Sequence, residues 1–119
     1  MRSEKNFWTG LKRQLDKLKP KLHYERIENK CSRGTPDVLI CYCGWYVLIE
    51  LKVKPNKLSN TQQVWHKLHT RAEGNVVTFT YDVKTKRVEV TKEGEFLFDF
   101  SWVRPNILEV IRSIQEYGS

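Results

Sequence analysis

The chain has 119 residues, of which 39% are hydrophobic and 12% aromatic. This composition excludes a disordered chain, and the length predicts one folded domain over residues 1–119. The formal net charge of +7 favours a polyanionic partner, nucleic acid before an anionic membrane. The first residues lead into no apolar run, so neither a secretory signal nor a membrane span is expected, and the chain is predicted to be intracellular.

The first third of the chain predicts a helix, a strand and a loop, in that order. An amphipathic helix is expected over residues 3–19, because apolar side chains recur there at helical spacing and Pro20 ends it. A strand is expected over residues 22–29, although its alternation is poor. The loop that follows contains the breakers Gly34 and Pro36.

The rest of the chain alternates strands and helices. The predicted elements are strands over residues 37–42 and 45–53, a helix over 59–72 with apolar positions Val64, Trp65 and Leu68, strands over 76–81, 87–91 and 95–100, and a helix over 105–115. The middle helix is a crossover, so the strands on either side of it are predicted to be parallel. The order predicts an α/β fold of the mixed α+β kind, a central mixed sheet flanked by helices.

The dipeptide Cys43-Gly44 lies between two apolar strands and fixes which of their residues are opposed. If it is the centre of a hairpin, residues whose numbers sum to 87 pair, and Asp37 lies opposite Glu50. A turn of two or of four residues gives the same pairing. Because cysteine is a poor residue for a two-residue turn, the wider loop is expected. The chain has three cysteines, Cys31, Cys41 and Cys43. This odd number predicts reduced core thiols rather than disulfides.

Asp37 and Glu50 form a like-charge pair that needs a cation or a raised pKa. Their Cβ atoms are expected ~5 Å apart, on strands whose apolar neighbours predict burial. Lys52, one strand period after Glu50, supplies one charge, and a divalent ion bound by both acids is the better answer. Such an ion polarises a phosphate and lowers the pKa of water, while Lys52 orients that water or stabilises charge. The alternative is a structural network in which Lys52 and Arg33 neutralise the acids.

Two motifs resemble those of a known family. Gly34-Thr35-Pro36-Asp37, followed by Glu50-Leu51-Lys52, resembles the signature of the PD-(D/E)xK nuclease superfamily. Leu58-Ser59-x-x-Gln62-x-x-Trp65 is similar to the VRR-NUC branch and its small phage-encoded relatives, which resemble Holliday-junction resolvases. The resemblance covers about residues 3–77, and the C-terminal third matches no family.

The resemblance implies a restriction-endonuclease-like core with a four-stranded mixed sheet, and hydrolysis of DNA that leaves a 5′-phosphate. It also implies a requirement for Mg²⁺, with Mn²⁺ as a substitute. Asp37 and Glu50 would be metal ligands, with the Leu51 carbonyl as a third protein contact. Lys52 would be the catalytic lysine, and Gln62 would contact water or phosphate at the site.

The family also places an acid upstream, and the sequence offers two candidates. Glu4 lies one helical turn before Phe7, on the apolar stripe of the first helix, and is preferred as a metal-linked catalytic acid. A first-turn glutamate favoured by the helix dipole is the plainer interpretation. Glu28 is the alternative catalytic acid, and an ion pair with Arg26 is its plainer interpretation.

The remaining predictions concern the substrate. Arg33, Lys54 and Lys57 flank the acids and are predicted to bind DNA phosphates. His66 and His69 are candidates to touch phosphate, and they are not expected to be catalytic bases, because a metal mechanism does not need one. The sequence contains no base-reading motif, so recognition of DNA shape is expected, with branched DNA as the partner.

Two function classes follow from these residues. The first is a structure-selective endonuclease of the junction-resolvase kind, which needs two sites to cut a four-way junction symmetrically and therefore a homodimer. Aromatic residues beyond the needs of the core are expected to contribute to that interface: Trp8, Phe96, Phe98, Phe100 and Trp102. The second class is a non-catalytic nucleic-acid-binding module. Within the enzyme class, a nicking or sequence-specific nuclease that acts on linear duplex is also compatible with the sequence.

Overall fold

The computed structural model of the protein describes residues 3–28 and 33–117. The elements in chain order are α1 (Glu4–Asp16), β1 (Leu22–Arg26), β2 (Val38–Tyr42), β3 (Trp45–Val53), α2 (Asn60–Arg71), β4 (Val76–Asp82), β5 (Arg87–Lys92), β6 (Glu95–Ser101) and α3 (Ile107–Tyr117). This is the predicted order of helices and strands. The described helices include none long and apolar enough to cross a membrane.

The described strands form one six-stranded sheet in the order β1-β2-β3-β4-β5-β6. β3 and β4 are parallel, as the crossover through α2 predicts, and the other neighbours are antiparallel. The predicted mixed sheet flanked by helices is therefore confirmed. It has two strands more than the four-stranded core that the family resemblance implies.

The β2–β3 hairpin has the predicted register, with Leu39 opposite Leu48 and Tyr42 opposite Trp45. The expected wider loop is wrong, because only Cys43 and Gly44 separate the paired ends. Both turn residues have positive φ, 51° at Cys43 and 76° at Gly44. A cysteine in this conformation costs about 1–2 kcal/mol. Such turns match the twist of the flanking strands, which offsets that cost.

The sheet has one core face, and α1 and α3 supply its apolar cover. From α1 come Phe7, Leu11 and Leu15, none of which is exposed to solvent. The ring of Phe7 packs against Tyr81 and, edge to face, against Trp102. Alternation along the strands sends the even-numbered side chains of β3 to the opposite face. α2 lies on that opposite face, which carries Glu50 and Lys52.

α2 begins with a capping box and packs in an unexpected orientation. In this helix, all of whose residues the structure describes, His66 is the one buried side chain. The apolar positions Val64 and Leu68 are 58% and 59% exposed. The amphipathic pattern therefore misassigns the inner face of this helix, because the side that packs on the sheet carries polar groups.

Several local predictions differ from the structure. After α1, the carbonyls of Leu15 and Asp16 accept hydrogen bonds from the N–H groups three residues later, which is a turn pattern. The α-helix therefore ends before the predicted residue 19. Cys41 is half-buried and Cys43 is exposed, so the core-thiol prediction is wrong for Cys43; Cys31 lies outside the described residues. Fewer aromatic residues are left exposed for a subunit interface than the sequence predicts. Phe96 is exposed, and the others pack against the core: Trp8, Phe98, Phe100 and Trp102.

Candidate active site

Asp37 is held by three hydrogen bonds, two to β3 and one to the residue that follows β1. Its backbone N–H donates to the Ile49 carbonyl at 3.1 Å, and its own carbonyl accepts from the Ile27 N–H at 2.8 Å. Its side-chain Oδ2 accepts from the Leu51 N–H at 2.8 Å. The carboxylate therefore occupies the place where the β2–β3 ladder would continue, with 13% of the side chain exposed.

Glu50 lies beside Asp37 and is almost fully buried, with 2% of its surface exposed. The paired register ends at Val38–Ile49, and Asp37 and Glu50 are the next residue of each strand. Lys52 is half-buried two residues further along β3, on the face that carries Glu50. Strand alternation puts Glu50 and Lys52 on the face opposite the core, and Asp37 lies one residue before the paired part of β2.

A further positive charge beside Asp37 comes from Arg26. Its Nη1 lies 3.9 Å from Asp37 Oδ1, and its guanidinium stacks over the Trp8 ring at 5.3 Å. In the alternative structural network that the sequence offers, Arg33 shares the neutralising role with Lys52, and Arg33 is exposed. Arg26 was considered only as a partner for Glu28, because the contact with Asp37 depends on β1 lying next to β2.

The donor set around Asp37 and Glu50 fits a hard divalent ion. Within residues 3–28 and 33–117, no three His, Cys, Asp or Glu side chains are close enough to form a metal-binding group. Mg²⁺ does not require three, because it retains several waters and commonly uses one or two carboxylates with substrate phosphate. In a strand, the N–H and C=O of one residue point to the same neighbour, so the Leu51 carbonyl is directed towards Asp37.

The two upstream acids lie in different surroundings. Glu4 Oε2 accepts a hydrogen bond from Asn56 Nδ2 at 3.1 Å, in the loop after β3. Glu28 is exposed, two residues beyond the end of β1. Neither acid forms a three-residue group with Asp37 and Glu50 in the described part of the chain. The identity of the upstream acid stays a prediction.

Gln62 forms half of the capping box that starts α2. Its Oε1 accepts from the Ser59 N–H at 2.8 Å, and its own N–H donates to Ser59 Oγ at 3.2 Å. The helix-start role of Gln62 is therefore present in the structure. A contact between its side-chain amide and the reacting phosphate remains a prediction.

Gly34 brings the loop before Asp37 into direct contact with the start of α2. Its φ is +87°, and a Cβ on it would lie 2.5 Å from the Thr61 carbonyl oxygen and 3.1 Å from the Gln62 Cα. Only glycine fits this close approach of two backbones. The contact places the first turn of α2 beside the loop that positions Asp37.

We expect Gly34→Ala to destabilise the fold far more than Gly94→Ala. Both glycines have positive φ, but nothing lies within 4 Å of a Cβ at Gly94. Gly94→Ala should therefore cost only the conformational penalty of about 1–2 kcal/mol. Gly34→Ala adds a backbone clash and should cost about 3 kcal/mol or more. Urea denaturation measures both, and equal losses would show that the loop does not press on α2.

A groove of about 1230 Å³ opens beside Lys52 on the same face of the sheet. Threonines of β4 and β5 line its floor, and lysines from several elements line its walls: Lys52, Lys54, Lys57, Lys67 and Lys92. Lys54 is bound to Glu89 at 2.9 Å and to Asp82 at 3.7 Å, and the Glu89 hydrogen bond raises the pKa of Lys54. Lys57 and Arg33 are exposed. The predicted phosphate contacts of all three remain predictions.

His66, which the sequence offers as a phosphate contact and not as a catalytic base, is a buried group of this site. It is 1% exposed and lines the groove next to Lys52. Burial lowers its pKa to about 4, with a further lowering by His69 and Lys52 and an opposing effect of Asp37. Gln62, His66 and His69 follow the spacing of one helix face, and that signal was available in the sequence.

We expect the free energy of unfolding to fall as the pH drops from 6.5 towards 4. The unfolded chain binds a proton at His66 below its ordinary pKa of 6.5, whereas the folded chain keeps His66 neutral down to about pH 4. The loss should reach up to about 3 kcal/mol. His66→Leu should remove this part of the slope in denaturation curves measured across that range. Parallel curves for the two proteins would contradict the buried, neutral imidazole.

Comparison with known proteins gives a structural match. No family model matches the chain, and no curated protein matches it. Among solved structures it resembles Hjc, a Holliday junction resolvase from the archaeal hyperthermophile Archaeoglobus fulgidus, determined at 1.6 Å resolution. The fold is shared with Hjc. The TM-score is 0.51 over 78% of this chain and 86% of Hjc, at 14% identity, so the likeness to Hjc is one of fold.

Proposed function

We propose that the protein is a Mg²⁺-dependent endonuclease that hydrolyses phosphodiester bonds in branched DNA. The observation that carries the proposal is the placement of Asp37 against β3, beside the buried Glu50 and on the face that carries Lys52. The fold shared with Hjc, a Holliday junction resolvase, and the net charge of +7 support it. Assignment to the VRR-NUC branch is part of the proposal and is supported by the Ser59 and Gln62 motif at the start of α2.

Each residue of the proposed site has a separate role in this reaction. Asp37 and Glu50, with the Leu51 carbonyl, would hold the ion. When bound, the ion would supply a Lewis acid for the phosphate and a lowered pKa for water. The Lys52 ammonium stabilises negative charge on the phosphate, and its half-buried position strengthens that effect by reducing solvent screening. The capping box and the contact of Gly34 with the first turn of α2 support a role for Gln62 beside the loop that leads to Asp37.

Recognition of DNA in this proposal depends on backbone contacts rather than on base edges. Arg33, Lys54 and Lys57 bind phosphates on both sides of the acids. Lys54 must exchange its bond to Glu89 for a phosphate, so we assign it a smaller contribution than Lys57. Substrate choice then follows the shape of the DNA, which suits branch points.

We propose a homodimer as the active form, because symmetric cutting of a four-way junction needs two sites. Val64 and Leu68 form an exposed apolar pair on α2, and this pair supports a contact between the two protomers. Multi-angle light scattering of the purified chain, alone and with junction DNA, tests the stoichiometry. A 1:1 complex that still makes paired cuts would contradict the dimer.

The function is tested with labelled four-way junction, splayed-arm and linear duplex DNA, incubated with Mg²⁺, Mn²⁺ or EDTA. We expect metal-dependent cutting of the branched substrates that Asp37→Asn abolishes. Asp99→Asn is the matched control, because Asp99 pairs with Arg87 on β5. Cutting of linear duplex alone would replace the structure-selective enzyme with a nicking or sequence-specific one. Binding without metal-dependent cutting would support the non-catalytic module.

A further inference from the structure

The imidazole of His66 is buried at the wall of the groove without hydrogen bonds. Neither Nδ1 nor Nε2 has a hydrogen-bond partner among the described residues. The ring lies on α2 and lines the same groove as Lys52 and Thr78. A buried polar group without a partner destabilises a fold by about 1–3 kcal/mol. Most such groups in proteins are satisfied, so this one calls for a functional explanation.

The electrostatic surroundings of His66 connect it to the proposed site. Its charged neighbours act with opposite signs, since Asp37 favours the protonated ring and Lys52 opposes it. His69, from the next turn of the same helix, also opposes protonation. Burial is the dominant influence and keeps the ring neutral near pH 7. A neutral imidazole offers one N–H donor and one acceptor nitrogen.

His69 shows what a structural histidine looks like in the same helix. Its Nε2 is 3.0 Å from the Tyr46 hydroxyl, and its ring stacks on Trp65 with centroids 4.8 Å apart. A Cβ on Gly74 would lie 2.2 Å from the His69 Nε2, so the chain closes tightly over this ring. His69 is therefore packed and hydrogen-bonded within the fold, and His66 is not.

We propose that His66 is a substrate-contacting residue, whose ring N–H donates a hydrogen bond to a phosphate oxygen of the DNA strand bound beside Lys52. The inference rests on the proposed function and adds to it a recognition group. A hydrogen bond to an anionic phosphate is roughly twice as strong as one between neutral groups. Both ring nitrogens are closed to solvent in the free protein, so the contact requires the groove wall at His66 to open when DNA binds, and it would then satisfy a donor that the free protein buries at a cost.

The first test separates this role from a structural one by measuring stability and cleavage in the same variants. His66→Leu replaces the ring by an apolar group of similar size, so thermal stability near pH 7 should be unchanged or higher. Cleavage of four-way junction with Mg²⁺ should fall by about 100-fold. His66→Gln, which keeps an N–H donor, should recover part of the rate. His69→Leu is the matched control and should lower stability, with little change in the rate per folded molecule.

The second test does not depend on cleavage. Ring-nitrogen NMR spectra of the protein, recorded with Ca²⁺ in place of Mg²⁺, follow His66 during titration with four-way junction DNA. We expect a shift of the His66 donor nitrogen at saturation, with a smaller change at His69. Unchanged His66 signals at saturating DNA would overturn the inference. So would full activity of His66→Leu, or a loss of stability in that variant that matches its loss of activity. Absence of cutting by the wild-type chain would refute the proposed function, whereas the NMR titration would still decide the contact.

Discussion

Lys52→Met should reduce cleavage of branched DNA by about 100- to 1000-fold while leaving the fold and the affinity for DNA nearly unchanged. Methionine keeps the length and apolar stem of the half-buried side chain and removes its charge. The chain contains other lysines along the groove, so one charge contributes little to overall binding. Its loss should act on the chemical step, because Lys52 shares a strand face with Glu50.

Single-turnover cleavage and fluorescence anisotropy measure the two effects of Lys52→Met separately. Lys84→Met, at an exposed position between β4 and β5, is the matched control and should retain the wild-type rate. If Lys52→Met weakened DNA binding as much as it slowed cleavage, Lys52 would be a phosphate anchor and not a catalytic group.

Glu50→Gln should abolish the effect of Mg²⁺ on both cleavage and stability. Glutamine has nearly the same shape but lacks the charge, and removing a direct ligand should weaken Mg²⁺ binding by at least about 100-fold. In EDTA the variant should be at least as stable as wild type, because it removes one of two adjacent carboxylates in a buried setting. With Mg²⁺ at 100 times its Kd, wild type should gain about 2.7 kcal/mol and the variant almost nothing.

Thermal melts in EDTA and in Mg²⁺ measure this difference for Glu50→Gln. Glu109→Gln is the control, since Glu109 is an exposed α3 residue paired with Arg112. It should respond to Mg²⁺ as wild type does. An equal response of Glu50→Gln would place the divalent ion elsewhere on the protein.

The sheet and its central residues were predictable because strand geometry is strict. A side-chain period of two and a short turn leave one register for the β2–β3 hairpin, and the observed pairs from Tyr42–Trp45 to Val38–Ile49 follow it. The parallel pairing of β3 and β4 followed from the crossover alone. These predictions needed no knowledge of side-chain packing.

The orientation of α2 could not be predicted in the same way. Its apolar residues Val64 and Leu68 point to solvent, and its buried residue is His66. A hydrophobic pattern assumes that a helix buries its apolar stripe, and it fails where the covered surface is itself a polar site. The contact of Arg26 with Asp37 also depends on tertiary structure, through the pairing of β1 with β2.

The two-residue turn at Cys43 and Gly44 sets the distance along the chain between the two proposed ligands. One extra residue that enters a strand and slips the pairing by one would move every side chain of that strand to the other face, so that Asp37 and Glu50 would point away from each other. Two residues added symmetrically, one to each strand end, would lengthen the hairpin and preserve their meeting. The tip of this hairpin therefore accepts a single insertion only as a wider turn, whereas longer strands need added residues in matched pairs, and length variants of the β2–β3 segment should follow this rule.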